Sequence, residues 1–328
     1  MIMQQKRCLY CYKALSEAEG DYHAACSRKF FGTTVPPLLP YSEDEMYKLG
    51  EQVIKSQSAV TGVQPKLSLE LEKQKNRQIP QRFTIVGLWG SYILKPPFEL
   101  YPNLPELEDL TMHLASVSGI ETVLHSLIRL SSGSLAYITK RIDRPAEGKF
   151  HMEDMCQLTE RLTEHKYRGS YEQIGKAILK YSSNPVLDVV NFFEQLVFSY
   201  LTGNADMHLK NFSLIKKPEV GWSLSPAYDL VPTALVVKGD TEEMALNLNG
   251  KKRKITVNDF KSAMHKCHIP EKAMDNIFRK FEGIESKWIK IIQNSFLPDK
   301  LKESYFELIK ERIQLITPSP QPPPLQPY

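Results

Sequence analysis

Long apolar runs are absent from this sequence of 328 residues. No segment approaches the roughly 20 apolar residues that a membrane-spanning helix needs, and the start, MIMQQKRCLYCYK, lacks the apolar stretch of a signal peptide. We therefore expect a protein of the cytoplasm that has no membrane partner. Hydrophobic residues make up 42% of the chain and charged residues 24%, a composition typical of a globular protein with one large core or two lobes.

Cysteine and net charge are also low. The five cysteines are an odd number, and Cys156 and Cys267 lie far from the other three, which argues against a secreted disulfide framework and favours free thiols or a metal site. The net charge is only +4, so the overall charge does not require a nucleic acid or an anionic membrane as partner, although a local patch could bind one.

Composition divides the chain into four predicted parts. Residues 1–40 are rich in cysteine, aromatic residues and proline, and Pro36, Pro37 and Pro40 mark their end. Residues 41–144 are rich in β-prone runs, and residues 145–316 show mainly helical spacing. Residues 317–328, TPSPQPPPLQPY, contain too much proline to form a helix, so we expect a disordered tail.

Hydrophobic spacing predicts the main elements. Ser42 and Glu45 form a capping box at the start of one helix, and a second helix is expected from about Leu104 to Val117. Strands are expected at KLSLEL from Lys66, FTIV from Phe83, SYILK from Ser91 and LAYITKRI from Leu135. Later, Asn184 and Pro185 begin an apolar helix that Gly203 ends, with short strands at Phe212–Ile215 and Trp222–Leu224. The prediction is an α+β fold with a β-rich first lobe and a mostly helical second lobe.

The stretch GNADMHLKNFSL follows the apolar helix directly. Asp206 and Asn211 have the D-x-x-x-x-N spacing of a kinase catalytic loop, in which the aspartate accepts the hydroxyl proton of the acceptor and the asparagine binds Mg²⁺. Asp229, after the next short strand, can supply a second metal ligand, because Mg²⁺ needs few protein oxygens when phosphate oxygens complete its shell.

Phosphoryl transfer also needs a cation on the phosphates, a carboxylate that positions it and a turn that covers them. Lys95 ends a predicted strand, Glu108 lies in the following predicted helix, and TGVQPK at 61–66 precedes a strand as a covering turn should. None of these residues is diagnostic alone, because isolated aspartate, asparagine and lysine residues usually cap turns or face solvent. Their order along the chain is that of a kinase.

The motifs TGVQPKLSL, YILKPP, the glutamate of LEDLTMHLA, KRIDR, EDMCQLT, GNADMHLKNFS, PAYDLVP and MALNLNGKKRKIT occur in this order between about residues 58 and 256. In this respect the chain resembles the HipA family of bacterial toxin serine/threonine kinases. The resemblance implies a bilobal protein-kinase-like fold, regulation within a toxin–antitoxin system, and ATP-dependent phosphorylation of a protein such as an aminoacyl-tRNA synthetase.

The resemblance also implies roles for particular residues. Asp206 would be the catalytic base, Lys95 would hold the phosphates while paired with Glu108, and Asn211 and Asp229 would bind Mg²⁺. The remaining residues expected at the nucleotide are Val60, Thr61, Gly62, Val63, Gln64 and Pro65 in the covering turn, Lys140, Arg141 and Ile142 in the hinge, and His208 and Tyr228 beside the catalytic loop. Ser58 and Thr61 correspond to serine and threonine positions that the family's kinases phosphorylate in themselves.

HipA proper carries a further N-terminal subdomain of about a hundred residues, and too few residues precede TGVQPK to contain it. The chain is therefore most similar to the short HipT kinases of tripartite HipBST systems. The partners implied are a small HipA-N-terminal-like protein and a helix-turn-helix antitoxin, with DNA contacted only indirectly through the antitoxin.

A second motif lies outside this resemblance. Cys8, Cys11, His23 and Cys26 have the spacing C-x₂-C-x₁₁-H-x₂-C, which provides the four soft ligands of a tetrahedral Zn²⁺ site. Two readings remain open, a zinc knuckle that could also touch RNA, and buried thiols beside a histidine at a helix end.

Two other functions are compatible with the same residues. A small-molecule kinase of the aminoglycoside-phosphotransferase type shares the aspartate and asparagine, although GVQPK and KRIDR argue against it. A catalytically silent nucleotide-binding scaffold for a DNA-bound repressor is the other alternative, and the intact Lys95, Asp206, Asn211 and Asp229 argue against that.

Overall fold

A computed structural model describes residues 6–55, 66–72, 80–86, 90–145, 148–237, 239 and 241–316. The helices are α1 (Ala24–Phe31), α2 (Glu43–Lys55), α3 (Leu104–Val117), α4 (Met155–Leu158), α5 (Tyr171–Tyr181), α6 (Pro185–Leu201), α7 (Thr233–Val236), α8 (Val257–Lys266), α9 (Glu271–Phe281), α10 (Glu285–Gln293) and α11 (Asp299–Ile316). The strands are β1 (Leu67–Leu71), β2 (Phe83–Val86), β3 (Tyr92–Lys95), β4 (His125–Arg129), β5 (Leu135–Lys140), β6 (His151–Asp154), β7 (Ser213–Lys217) and β8 (Gly221–Leu224). Within these ranges, no helix combines the length and apolar character required to cross a membrane.

The first lobe is built on an antiparallel sheet with strand order β2-β1-β3-β5-β4. Alternation in β1 places Leu67 and Leu69 in the core, as the period of two in a strand requires. In the β3–β5 register, Lys95 lies opposite Tyr137. The last residue of β3 is therefore a lysine held at the inner edge of the sheet, where it faces the second lobe.

Helix α3 packs against β4 and β5 on one side and against α10 on another. Pro105 stands in its first turn, where a missing N–H group costs nothing. Leu107, Leu110 and Leu114 are fully buried, so the helix is surrounded by protein along most of its length. This burial gives Glu108, one residue after Leu107, a fixed direction toward β3.

The second lobe surrounds helix α6, whose Phe192, Phe193 and Leu196 are fully buried. The chain leaves α6 at Gly203, which has φ +70°. The left-handed conformation favours glycine, and a Cβ atom at this position would lie 2.6 Å from Leu308 Cδ2, so the leucine side chain would have to move. The loop that follows leads into β7, the central strand of a small antiparallel sheet with order β6-β7-β8.

Most predicted elements are present. Helix α3 has the predicted bounds, and α2 begins with the predicted capping box, in which the Ser42 N–H donates to Glu45 Oε2 over 2.7 Å. Two strands were not predicted. β4 is one of them, and β6 is the other, inside the part expected to be helical. Its sequence, HMED, carries no apolar alternation, and only its pairing with β7 defines it.

Residues 6–40 pack directly on the first lobe. Leu9, Phe30 and Phe31 share one core with sheet residues that include Leu67 and Phe83. The division at residue 40 therefore follows a local proline signal inside a continuous core, and it remains a prediction, as do the other domain boundaries.

Candidate active site

Lys95 lies at the centre of the site. Its Nζ is 2.5 Å from Glu108 Oε1 and 2.5 Å from Asp229 Oδ1. Burial alone would lower the pKa of Lys95, but the carboxylates of Asp229 and Glu108 outweigh burial and raise it. Burial raises the pKa of Glu108 to about 7 against the opposing effect of Lys95. The ammonium group is therefore a permanent cation between two carboxyl groups, one from α3 and one from the second lobe.

Asp229 follows β8 and the segment Ser225–Tyr228 in a left-handed conformation with φ +59°, which is uncommon outside glycine and recurs at functional sites. Lys66 Nζ lies 2.6 Å from its second carboxylate oxygen. Burial would raise the pKa of Asp229, but Lys66 and Lys95 hold it well below its usual value. Asp229 is thus an anion whose two oxygens both face cations.

The catalytic-loop candidate is held by hydrogen bonds at its backbone. Asn211 Nδ2 donates to the carbonyl oxygen of Asp206 over 2.9 Å, and the Asp206 N–H donates to Asn204 Oδ1 over 3.1 Å. The Asp206 carboxylate accepts a hydrogen bond of 2.7 Å from the hydroxyl of Tyr167. The predicted pair of Asp206 and Asn211 is thus one locked unit, and Asn211 Oδ1 is the atom that remains for a metal.

His208 is buried behind the loop, with its ring 5.0 Å from that of Tyr167. Burial lowers its pKa, with Asp206 acting in the opposite direction. Its Nδ1 atom has no hydrogen-bond partner among the residues that the structure describes. Tyr228 is half-buried, and its hydroxyl bonds to Ser213 Oγ and donates to the carbonyl oxygen of Lys210. Tyr228 therefore connects the catalytic loop to the segment that carries Asp229.

These side chains line one cavity of about 1030 Å³, large enough for a nucleotide. The predicted hinge residues Lys140, Arg141 and Ile142 lie at its rim, at the end of β5. The N–H group of Lys140 donates to the carbonyl oxygen of Leu124, and that of Arg141 donates to Ser91. Contacts to a base from this segment would therefore use the carbonyl oxygens or the amide of Ile142.

The site fits magnesium and a nucleoside triphosphate. Asn211 and Asp229 provide an amide and a carboxylate oxygen, which are ligands that Mg²⁺ prefers.

Some predicted residues lie outside the described ranges. These are Ser58 and the covering turn of Val60, Thr61, Gly62, Val63, Gln64 and Pro65. Conversely, sequence reasoning missed Lys66 and Tyr167 as site residues. Lys66 closes the TGVQPK motif and could have been included on that signal. Tyr167 lies 39 residues before Asp206, and no motif marked it.

The four residues of the Cys/His motif lie together. The candidate ligand atoms of Cys8, Cys11, His23 and Cys26 are all within 4.8 Å of one another. His23 Nε2 lies 3.0 Å from the carbonyl oxygen of Ala14, which selects the tautomer whose Nδ1 faces the thiols as an acceptor. Burial would raise the pKa of the Cys8 thiol, but surrounding backbone N–H groups, that of His23 foremost, lower it. The donor set and geometry therefore fit Zn²⁺.

The comparison with protein families covers the part of the chain that carries this site. A family model described as the HipA-like C-terminal domain matches residues 58–288, a range that contains Lys95, Glu108, Asp206, Asn211 and Asp229. The chain belongs to this family. The predicted HipA resemblance is thereby confirmed, whereas the HipT subtype stays a prediction.

Several curated proteins are similar. A protein of Sinorhizobium fredii named as a putative kinase is 34% identical over 216 residues, which are 62% of this chain and 52% of the relative. One of Haemophilus influenzae with the same type of name is 26% identical over 331 residues, 91% of this chain and 92% of the relative. The serine/threonine-protein kinase toxin HipA of Shewanella oneidensis is 30% identical over 198 residues, 54% of this chain and 43% of the relative. The chain thus spans about half the length of the first and less than half of the third.

Solved structures show the fold. HipA of Shewanella oneidensis, in a complex with HipB and operator DNA, matches 79% of this chain and 65% of its own length with a TM-score of 0.64 and 23% identity. The Helicobacter pylori proinflammatory kinase CtkA matches 69% of this chain and 87% of its own length with a TM-score of 0.52 and 16% identity. The predicted bilobal kinase-like fold is confirmed.

The shared ammonium group generates a stability prediction. Lys95→Ala leaves Glu108 buried without its cation, so we expect a loss of about 3–5 kcal/mol in the free energy of unfolding at pH 8. Burial raises the pKa of Glu108 to about 7 while Lys95 opposes the rise, so in Lys95→Ala this pKa lies higher still, well above the value near 4.3 of an unfolded chain. The destabilisation therefore decreases as the pH is lowered from that folded-state pKa toward the unfolded-state value. Urea denaturation at pH 8 and pH 6 measures both effects.

The matched control is the double variant Lys95→Ala with Glu108→Gln, which removes the buried charge. It should be more stable than Lys95→Ala at pH 8 and should show less pH dependence. Equal stability of the single and double variants at pH 8 would contradict the ion pair.

Proposed function

We propose that the chain is an ATP-dependent serine/threonine protein kinase. The observation that carries the proposal is the convergence on one cavity of a buried Lys95–Glu108 pair, of Asp206 locked to Asn211, and of Asp229. Phosphoryl transfer depends mainly on positioning and electrostatic stabilisation, and these five residues are held by contacts of 2.5–2.9 Å.

Each residue then has one task. Bound ATP with Mg²⁺ supplies the phosphoryl group. Asp206 would take the proton of the acceptor hydroxyl. The oxygen of that hydroxyl would bond to the γ-phosphorus while the bond between the γ-phosphorus and the oxygen of the leaving ADP breaks. Asn211 and Asp229 would hold Mg²⁺, and Lys95, kept in place by Glu108, would contact phosphate oxygens. In the same proposal, residues 60–65 cover the nucleotide, residues 140–142 meet the base, and His208 and Tyr228 support the loop beneath it.

We further propose a toxin role within a toxin–antitoxin system. Support comes from the similarity to a protein named as the toxin HipA and from a structural likeness to HipA solved with HipB and operator DNA. The protein substrate would be a translation component such as an aminoacyl-tRNA synthetase. The partners would be a small HipA-N-terminal-like protein and a helix-turn-helix antitoxin, through which alone the chain would meet DNA.

Autophosphorylation at Ser58 and Thr61 completes the proposal. Lys66 directly follows their segment, and its ammonium group lies at Asp229. Ser58 and Thr61 themselves lie outside the described ranges, and their assignment rests on the resemblance to the positions that the family's kinases phosphorylate in themselves. A phosphate there adds up to two negative charges, which would repel ATP and switch the kinase off.

Occupation of the Cys/His motif by Zn²⁺ is a separate proposal. It is supported by the clustering of four ligand atoms within 4.8 Å and by the hydrogen bond that fixes the His23 tautomer.

The catalytic assignment is tested by two contrasting variants. Asp206→Ala should lower phosphoryl transfer by about 100- to 10,000-fold while ATP with Mg²⁺ still binds, because the base is lost and the phosphate contacts remain. Asp229→Ala should instead weaken binding of Mg²⁺–ATP, because a metal ligand is removed. Transfer of radiolabelled phosphate and calorimetry measure the two effects. Wild-type transfer by Asp206→Ala, or equal affinities of both variants for Mg²⁺–ATP, would overturn these roles.

The regulatory assignment predicts phosphate on Ser58, and to a lesser extent on Thr61, after incubation with Mg²⁺–ATP. Asp206→Ala should stay unmodified, because the modification needs the chain's own base. Ser56→Ala is the matched control for Ser58→Ala, since Ser56 is expected only to cap a turn. Peptide mass spectrometry decides, and an active wild type left unmodified at both positions would exclude the switch.

Metal analysis tests the zinc proposal. We expect about one Zn²⁺ per chain under reducing conditions, lost in the double variant Cys8→Ser with Cys11→Ser, because two ligands are too few for a tetrahedral site. Cys156→Ala, which changes a cysteine outside the motif, should keep the metal. Wild-type protein that is folded and free of zinc would contradict the proposal.

A further inference from the structure

The segment of the Cys/His motif contains a residue, Tyr12, that reaches helix α3 of the active site. Tyr12 follows Cys11 and has φ +62°, and its N–H donates to the carbonyl oxygen of Cys8 over 2.9 Å. This tight turn from Cys8 to Tyr12, the knuckle turn, carries two of the four candidate ligands. The left-handed conformation of Tyr12 is unfavourable for a tyrosine, so the contacts around the turn must hold it.

The side chain of Tyr12 ends on helix α3. Its hydroxyl donates to Asp109 Oδ2 over 2.6 Å, and Asp109 is fully buried. The other carboxylate oxygen of Asp109 lies 2.6 Å from Nδ1 of His125 on β4. Asp109 directly follows Glu108, so one turn of α3 is fixed on one side by Lys95 and on the other by Tyr12 and His125.

The segment around the knuckle turn also contacts both lobes. Leu9 accepts hydrogen bonds at its carbonyl oxygen from Ser126 Oγ and the Leu127 N–H on β4. Arg7 donates to the carbonyl oxygens of Asn294 and Ser295 between α10 and α11. The residues beside the turn are therefore attached to the sheet and to the helical lobe, with α3 between them.

We infer that Zn²⁺ bound by the Cys/His motif fixes the knuckle turn, and that Tyr12 is a positioning residue that, through Asp109, holds α3 with Glu108 against Lys95. In kinases the position of this helix determines whether the lysine–glutamate pair forms. The consequence for catalysis rests on the proposed kinase function, whereas the mechanical link does not.

The metal would add to the packing of this segment on the sheet, because the segment has little regular structure of its own. The only helix in residues 6–40 is α1, with eight residues among those described, too short to be stable in isolation. A metal bound by ligands at both ends of residues 8–26 would hold the two ends together, as in small zinc domains. Tyr12 then transmits that constraint over a single hydrogen bond to a charged group.

Hydrogen exchange in the zinc-loaded full chain tests the link without relying on activity. Tyr12→Phe keeps the ring contacts with His113 and Phe296 and removes only the hydroxyl. We expect amides of α3 to exchange about tenfold faster, with zinc content unchanged. Tyr10→Phe, a tyrosine in the same turn that packs on Phe30, is the matched control and should leave α3 exchange unchanged.

The double variant Cys8→Ser with Cys11→Ser should produce the same faster exchange in α3 together with loss of zinc. In phosphoryl transfer, Tyr12→Phe should lower kcat more than it raises KM for ATP, because Lys95 loses its support. Unchanged α3 exchange in Tyr12→Phe, or in the zinc-free double variant, would overturn the inference. Faster α3 exchange without any transferase activity in the wild type would instead refute the proposed kinase function and leave the link standing.

Discussion

The shared ammonium group of Lys95 is the interaction on which the site depends. Three charged groups, Lys95, Glu108 and Asp229, meet at the wall of the cavity. Lys95 and Glu108 are buried there and Asp229 is partly exposed, so each of the two buried groups alone would carry a large desolvation cost. They are stable only as a set, so β3, α3 and the turn after β8 must reach their positions together. Sheet register, the burial of α3 and the left-handed conformation of Asp229 are the means by which the fold achieves this.

The requirement explains why so much of the structure surrounds α3. A helix that carries one half of a buried ion pair must resist rotation, and a rotation of one residue would turn Glu108 away and bring Asp109 into its place. The neighbouring carboxylate of Asp109 instead points in a different direction from the helix, where Tyr12 and His125 bind it. Two adjacent acidic residues thereby fix the helix from two directions, one through the sheet and one through the N-terminal segment.

Local signals predicted much of this from the sequence. The bounds of α3 followed from its apolar spacing, and the kinase order of Lys95, Glu108, Asp206, Asn211 and Asp229 predicted which side chains would meet. Strand β6 could not be predicted, because HMED becomes a strand only by pairing with β7. The contact of Tyr167 with Asp206 was missed for the same reason, since it joins segments that are distant in sequence, whereas Lys66 lies in the TGVQPK motif and could have been included. The Cys/His spacing predicted four ligands but not that the knuckle turn would reach α3.

The two halves of the site are held by different forces, and the difference suits their tasks. Lys95 keeps one charge state, so opposing carboxylates can fix it. A catalytic base must accept a proton, and an ion pair to its carboxylate would favour the charged form and weaken it as an acceptor. Asp206, the proposed base, is instead fixed through its backbone, by Asn204 and Asn211. Among the described residues its carboxylate accepts a hydrogen bond only from the neutral hydroxyl of Tyr167, a group that an acceptor hydroxyl could replace. The backbone of the loop is therefore fixed, while the carboxylate oxygen that would take the proton in the proposed reaction has a partner that can be exchanged.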